Sequence, residues 1–324
     1  MKLSLRSIVA ALTVVLMGLF QGAFAAYPER AIRVIVVFPP GGMTDVLGRL
    51  IAQKLTERWG QAVVIENRAG MAGSIGVRAA GAAEPDGYTL VLSGGGSFNV
   101  NTVIYKDLGY DPLKDFVPVV PVAAVPNFLV VAPSSPYKTL TELIDAARAQ
   151  PGVLTYGSSG LGASPYLSAE LLKAMAKVDI REITYKGGAP ALLDVLAGRV
   201  SMGFDAVGTS AARVKAGQLR ALAVTSIKRV GAMPEIPTIA EQGYPGFDVG
   251  AWYGFWTRAG TPPEIVRKFN AEVNAILKLP DVIERMNSLG ATILGGSVEE
   301  FDAFQRSEFE KWTTFMKNTG IKPQ

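Results

Sequence analysis

Ile32-Arg33-Val34-Ile35-Val36-Val37-Phe38 leads directly into Pro39-Pro40-Gly41-Gly42-Met43-Thr44-Asp45 and then into the helical pattern of Val46–Trp59. The first run is apolar and β-branched, which predicts a buried strand. A glycine-rich turn between a buried strand and a helix leaves backbone N–H groups bare at the positive end of the helix, and this suits an anion. The stretch therefore predicts an α/β protein with one wall of an anion site at this loop.

A second loop repeats the arrangement far along the chain. Leu154–Tyr156 predicts a strand, Gly157-Ser158-Ser159-Gly160-Leu161-Gly162-Ala163-Ser164 a glycine-rich turn, and Tyr166–Met175 a helix. Pro165 stands where a dinucleotide fingerprint has its third glycine, and no Gly-Lys-Ser/Thr follows as in a phosphate loop. Two such loops predict two lobes that hold a small carboxylate between them.

Other strand ends carry glycine or polar residues that extend this candidate site. We expect Lys186 either to pair with a carboxylate or to be solvated, and Asp205 either to bind a ligand hydroxyl or a water or to tie a loop. We expect Asp45 to cap its helix, to order the loop, or to meet a ligand amine or hydroxyl. The candidate ligand-binding residues are Pro40, Gly41, Gly42, Met43, Thr44, Asp45, Ser93, Gly94, Ser158, Ser159, Gly160, Gly162, Ala163, Ser164, Lys186, Gly187, Gly188 and Asp205.

Composition excludes several classes of function. The formal net charge is +4, and it falls to +2 if Lys2 and Arg6 leave with an export signal. The basic residues are scattered, so nucleic-acid binding is not expected. The chain has 49% hydrophobic and 19% charged residues, which is typical of a well-cored globular protein.

The chain has no histidine and no cysteine. Ser-His-Asp and Cys-His nucleophile systems are therefore impossible, and the usual zinc and copper sites are excluded. We expect no metal, no cofactor and no enzymatic activity. The remaining enzyme hypothesis is an exported serine-type enzyme, because Ser135-Pro136-Tyr137-Lys138 matches a Ser-x-x-Lys pattern, although no Lys-Thr-Gly box follows it.

The first 25 residues read as a signal peptide. A basic start precedes the apolar run Ile8–Phe20, and Ala23-Phe24-Ala25 is a small-x-small cleavage site. The alternative is a retained signal anchor. No second long apolar stretch follows, so we expect a protein that is not embedded in the membrane and is exported to the periplasm.

The rest of the chain alternates strands and helices, which predicts mainly parallel sheets flanked by helices. Val117–Ala132 reads as two extended segments broken by Pro121 and Pro126, and it marks a first crossing between domains. The chain crosses back near Gly243–Gly250. These crossings predict domain I from residues 26–124 and 247–324, domain II from residues 125–246, and a ligand cleft between them.

The sequence also predicts three helix starts and contains one aromatic cluster. Thr139-Leu140-Thr141-Glu142 and Ser297-Val298-Glu299-Glu300 are capping boxes, and Thr261 is the expected N-cap before Pro262-Pro263. The segment Trp252–Trp256 contains two tryptophans and Tyr253, which form either a pocket wall or core packing.

Nine short motifs carry a resemblance over nearly the whole mature chain. In order they are Tyr27-Pro28, Pro39-Pro40-Gly41-Gly42 with Thr44-Asp45, Glu66-Asn67-Arg68, Pro85-Asp86-Gly87-Tyr88-Thr89-Leu90, Tyr110-Asp111-Pro112, Tyr185-Lys186-Gly187, Leu219-Arg220-Ala221-Leu222-Ala223-Val224-Thr225, Pro237-Thr238-Ile239-Ala240-Glu241 and Gly260-Thr261-Pro262. With these motifs the sequence resembles the Bug receptors, the periplasmic substrate-binding proteins of tripartite tricarboxylate transporters.

The resemblance implies a two-lobed periplasmic-binding-protein fold with a carboxylate in the cleft, held by loop backbones, loop side chains and ordered waters. It also implies delivery of the ligand to membrane permease subunits. One departure is Tyr166, which stands where the family often has a histidine. We expect a monomer that binds a dicarboxylate or a small aromatic acid, or alternatively a sensor that presents its closed form to a signalling partner.

Overall fold

The computed structural model describes residues 27–319, and side chains up to residue 317. The predicted signal peptide lies outside the described residues. The strands are β1 (Ile32–Val36), β2 (Val63–Asn67), β3 (Thr89–Gly94), β4 (Phe116–Val131), β5 (Thr155–Ser158), β6 (Arg181–Thr184), β7 (Met202–Ala206), β8 (Arg220–Val224), β9 (Gly250–Arg258) and β10 (Thr292–Ile293). The helices are α1 (Met43–Trp59), α2 (Ser74–Gly81), α3 (Asn101–Ile104), α4 (Leu140–Ala149), α5 (Ser164–Ala176), α6 (Gly188–Leu196), α7 (Val207–Lys215), α8 (Pro263–Ile276), α9 (Pro280–Ser288) and α10 (Val298–Thr319).

The described strands form one sheet with two halves that share β4. In the first half β1 lies between β2 and β3, and all three are parallel. Strand β9 pairs antiparallel with β3 and with β4, and β10 pairs with β4 as well. We call this half, with the helices packed on it, lobe I.

The second half, lobe II, begins on the same strand. β4 pairs antiparallel with β7 and with β8, and β5 lies parallel between β7 and β6. Each lobe has its own hydrophobic core. Leu47 and Phe269 are fully buried in lobe I, and Tyr156 and Leu172 are fully buried in lobe II. The result is the two-lobed α/β fold with parallel sheet segments that the alternating pattern predicts.

Strand β4 departs from the expectation at its prolines. The two predicted segments are one continuous strand through Pro121 and Pro126. Its pairing with β9 shifts register between Pro118 and Val120 and again between Pro121 and Ala123. Proline cannot donate to a ladder, so irregular pairing accommodates it where a break was expected. Residues 116–126 pair with β9, and Asn127 onward pairs with β7.

The helix starts mostly follow their local signals. Thr139 accepts a hydrogen bond from Glu142 N, and Ser297 does the same from Glu300 N, as capping boxes require. The expected Thr261 cap is wrong, because α8 has Pro262 as its N-cap and the Thr261 hydroxyl donates to Arg258 O. Helix α1 begins at Met43, which is three residues earlier than the apolar pattern indicates.

Both tryptophans of the aromatic cluster belong to the core. Trp256 is fully buried and stacks on Phe98, with ring centroids 3.9 Å apart. Trp252 packs edge-on against Phe301 and Phe304. Tyr253, on the opposite face of the same strand, packs in the lobe I core and reaches the cavity described below. The alternation of β9 therefore divides the cluster between the core and the site.

Gly254 in β9 provides a test of this packing. A Cβ added there would come 2.4 Å from the Phe301 ring and 3.0 Å from Val120 O. We expect Gly254→Ala to lower the free energy of unfolding by about 1–3 kcal/mol, as overpacking does in well-filled cores. Urea unfolding followed by circular dichroism measures the change.

Gly250→Ala is the matched control on the same strand. Its Cβ would come no closer than 3.5 Å to any atom, at Val125 O, so we expect a much smaller change. Equal stabilities for the two variants would contradict the packing described for β9.

Candidate functional site

A cavity of about 230 Å³ lies between the two lobes. Its walls are the ends of strands from both halves of the sheet and the first turns of α1, α5 and α6, together with one face of α7. The volume is below the roughly 300–1,000 Å³ that is usual for drug-sized ligands. The cavity therefore suits a small molecule.

The structure brings many of the predicted residues to this cavity. Those that line it are Gly41, Gly42, Met43, Thr44, Gly94, Ser159, Ala163, Ser164, Gly188 and Asp205. Those outside the lining are Pro40, Asp45, Ser93, Ser158, Gly160, Gly162, Lys186 and Gly187.

The first turn of α1 forms the lobe I wall. Gly41 adopts a φ of +84°, a conformation that glycine reaches without strain, and it turns the chain toward the helix. Gly42 is the N-cap, and no side chain caps this end. The N–H groups at the start of a helix lack intrahelical acceptors, so those of Met43 and Thr44 are available at the positive end of a 17-residue helix.

Asp45 orders this loop from behind. Its carboxylate accepts hydrogen bonds from Gly41 N and Arg49 Nε, both at 3.0 Å, and from Asn67 Nδ2 at 3.0 Å. Burial opposes the charge, but the hydrogen bonds from Arg49, Gly41 and Asn67 outweigh it and hold the pKa of Asp45 below its ordinary value. Of the three roles predicted for Asp45, the geometry shows the one of ordering the loop.

The first turn of α5 forms the facing wall in lobe II. Asn127 Nδ2 donates to Ser164 Oγ at 2.6 Å. Because the Ser164 oxygen accepts this bond, its own hydroxyl proton is left to donate into the cavity. Ser159 also lines the cavity, and its hydroxyl has no hydrogen-bond partner within residues 27–319.

Several glycines and serines of the two loops serve packing. Ser158 donates to Glu182 and accepts from Gly160 N, so its only hydroxyl proton is already donated within lobe II. A Cβ on Gly96 would lie 2.2 Å from Gly162 O, and one on Gly162 would lie 2.3 Å from Asn101 Oδ1. Gly96 therefore permits the backbones of the two lobes to approach closely, and Gly162 leaves room for the Asn101 side chain.

The loop after β6 makes another contact between the lobes. A Cβ on Gly187 would come 2.8 Å from two ring carbons of Pro39. Gly188 follows and begins α6 beside Asp205, whose Oδ1 would lie 3.5 Å from an added Cβ. Lys186 is exposed and lies outside the cavity lining.

Asp205 is a buried carboxyl at the end of β7. Thr209 Oγ1 donates to its Oδ2 at 2.5 Å. Burial raises the pKa of Asp205 to about 6, and the hydrogen bonds from Thr209 and Ser210 and the charge of Arg213 only partly oppose this effect. Asp205 is therefore a titrating group near neutral pH that lies in the cavity wall.

The candidate list lacks four polar residues of the lining, Ser97, Asn127, Thr209 and Arg213. Asn127 directly follows Pro126 at the expected domain crossing, so its position in the sequence could have indicated a residue at the cleft between the lobes. Thr209 and Arg213 follow Asp205 at four-residue spacing, which places them on one face of a helix that begins after β7.

Features that would indicate a serine enzyme, a metal site or a membrane span lie outside the cavity or are absent from the described residues. Ser135 accepts a hydrogen bond from Tyr137 N in a turn before α4 and does not line the cavity. Among the described residues no cluster of three or more carboxylates is arranged to hold a metal ion. No helix within residues 27–319 is long and apolar enough to cross a membrane.

The two-lobed α/β architecture with its cavity between the lobes is that of the periplasmic binding proteins. Residues 47–321 match the family described as the tripartite tricarboxylate transporter family receptor. The chain therefore belongs to this family of solute-binding receptors, as the motif resemblance implied. It is 36% identical over 297 residues to protein BugT of Bordetella pertussis, and this match covers 91% of each of the two chains.

Two solved structures are similar to the whole of this fold. Rpa4515 of R. palustris with adipate has a TM-score of 0.89 and 39% identity, and covers 92% of this chain and 100% of its own. MatC (Rpa3494) from Rhodopseudomonas palustris with bound malate has a TM-score of 0.84 and 31% identity. This match covers 89% of this chain and 99% of the MatC chain.

The buried Asp205 predicts a pH dependence of stability. Its pKa of about 6 in the folded chain exceeds the value of about 3.9 expected in the unfolded chain, so the folded state binds the proton more tightly. The free energy of unfolding therefore falls as the pH rises from about 4 to about 6. We expect Asp205→Asn to remove this loss, which amounts to at most about 3 kcal/mol.

The measurement is urea unfolding of wild type and variant between pH 4.5 and pH 7.5. The stability difference in favour of Asp205→Asn should grow with pH and level off above about pH 6. Asp45→Asn is the control, because the lowered pKa of Asp45 places its titration below this window. A difference for Asp205→Asn that does not change with pH would contradict the assignment.

Proposed function

We propose that this receptor is exported to the periplasm, binds a small carboxylate in the cavity and delivers it to the membrane permease subunits of a tripartite tricarboxylate-type transporter. The observation that carries the proposal is the pair of facing helix starts, α1 from lobe I and α5 from lobe II. Helix N-termini with free N–H groups and hydroxyl donors are suited to an anion. Adipate and malate, the ligands of the two similar structures, are both carboxylates.

The ligand-binding residues that we propose are the predicted ones that line the cavity, together with Asn127. The remaining predicted residues act at a distance from the ligand. Asp45 holds the Gly41 loop, Ser158 holds Gly160, and Gly162 and Gly187 allow the lobes to meet. A ligand at the α5 start accepts a hydrogen bond from the Ser164 hydroxyl, and Asn127 keeps that hydroxyl oriented.

We further propose that the chain forms two lobes that close on the ligand. One lobe consists of residues 26–124 and 247–324, and the other of residues 125–246. The change of partner along β4 falls at residues 126–127, close to this boundary. Some of the contacts between lobe I and lobe II are made by small groups at the cavity rim. A Cβ on Gly208 in α7, for example, would lie 2.2 Å from Met43 Cε. Contacts of this kind form and part without breaking a core.

The energetics require contacts from both lobes. Micromolar affinity corresponds to about −8 kcal/mol. One partly buried helix N-terminus contributes at most about 2 kcal/mol, and a hydrogen bond to a charged group adds roughly 1.5–3 kcal/mol. Neither helix start alone reaches the total, whereas two starts with the Ser159 and Ser164 hydroxyls together contribute up to about 7–10 kcal/mol before the cost of association.

The first experiment is to denature freshly purified protein and identify any released acid by mass spectrometry. Isothermal titration of stripped, refolded protein with adipate, malate and aromatic acids follows. The proposal expects at least one carboxylate to bind with micromolar affinity. Correctly folded, stripped protein that binds none of them would overturn it.

Ser164→Ala tests the lobe II wall directly. Removal of the hydroxyl eliminates one hydrogen bond to the anion, so we expect about 10- to 100-fold weaker binding, which corresponds to about 1.5–3 kcal/mol. Ser307→Ala is the matched control, because the Ser307 hydroxyl is exposed and donates to Phe304 O on α10. Unchanged affinity in Ser164→Ala, with its thermal stability retained, would place the ligand elsewhere.

A further inference from the structure

One face of α7 brings a cation to the cavity. Asp205, Thr209 and Arg213 recur every four residues and all line the cavity on the lobe II side. Arg213 is the only lysine or arginine of its lining among the described residues.

The guanidinium of Arg213 has few hydrogen-bond partners among the described residues. Its Nη1 donates to Thr209 O at 2.9 Å. It forms no ion pair with any carboxylate within the described part of the chain. A guanidinium has five N–H donors in a planar fork that matches a carboxylate, so most of its donors are available to a ligand.

Asp205 does not neutralise this cation by contact. The charge of Arg213 acts on Asp205, but the hydrogen bond that Oδ2 accepts comes from Thr209, and no direct pair forms. Thr209 therefore separates the carboxyl from the guanidinium along the helix face.

The remainder of the cavity wall suits a hydrocarbon segment. Leu192, Met43 and Tyr253 line it together with Phe38. A ligand that contacts both polar regions presents one carboxylate to the helix starts and N–H groups, an apolar stretch to these side chains, and a second anionic group to Arg213.

We propose that Arg213 binds a second carboxylate of the ligand, so that this receptor prefers dicarboxylates to monocarboxylates of the same length. This inference rests on the proposed carboxylate binding at the helix starts. It adds that selection for the second charge comes from α7 and not from the glycine loops. A purely structural Arg213, which holds the last turn of α7 through Thr209 O, would change stability without changing ligand preference.

The test uses pairs of ligands that differ by one carboxylate: succinate with butyrate, adipate with hexanoate, and terephthalate with p-toluate. Isothermal titration of the full mature chain gives the ratio of affinities within each pair. We expect wild type to bind the dicarboxylate of at least one pair about 10-fold or more tightly. Arg213→Gln should weaken that dicarboxylate about 10- to 100-fold and leave its monocarboxylate partner within about threefold.

Two further variants complete the design. Lys215→Gln removes an exposed positive charge from the same helix and should leave the ratio unchanged. Arg213→Lys keeps the charge without the planar fork and should fall between wild type and Arg213→Gln. Thermal unfolding of every variant shows that each one folds.

The outcomes separate the two proposals. If no ligand of any pair binds folded wild type, the proposed carboxylate function fails. If wild type binds both members of each pair equally, or if Arg213→Gln weakens both equally or neither, carboxylate binding stands and the role of Arg213 is overturned.

Discussion

The arrangement of both lobes depends on the continuity of β4 across the change of partner at Asn127. Residues up to Pro126 are bound into the lobe I ladder by β9, and residues from Asn127 onward are bound by β7 and β8. The Asn127 backbone also exchanges hydrogen bonds with Thr225, at 2.8 and 2.9 Å. The same residue holds Ser164 at the start of α5. One strand position therefore connects the junction of the lobes to the cavity-lining hydroxyl of Ser164.

This connection gives a physical basis for coupling between ligand contact and lobe position. The side chain that orients Ser164 belongs to the strand that both lobes share, and the opposite wall, α1, is carried by lobe I alone. A ligand that contacts both helix starts favours the arrangement in which they face each other. Small residues at the rim, such as Gly96 against the Gly162 carbonyl, make that arrangement sterically possible. A side chain on Gly96 would hold the two backbones apart.

The sequence predicted well what depends on local pattern. The strand, glycine turn and helix around Gly41 and Gly42, and the capping boxes at Thr139 and Ser297, are decided within a few residues. It could not separate Ser159 from Ser158, because the difference lies in Glu182 on a neighbouring strand. Nor could it assign Arg213, whose role depends on which face of α7 meets the cavity. The continuity of β4 through its prolines was also not predictable, since it depends on the irregular pairing with β9.

The two kinds of anion contact proposed for this cavity differ in their free-energy cost when no ligand is present. A fixed cation buried without a partner carries a desolvation penalty, whereas helix N–H groups and hydroxyls carry only partial charges. The helix starts of α1 and α5 line the cavity, and Arg213 is only half-buried on α7. In the role proposed for Arg213, the half-buried cation keeps part of its hydration until a second carboxylate replaces the water. On that proposal the empty cleft carries no large penalty and the site still discriminates by charge, and both properties are required of a receptor that must bind its ligand and release it again.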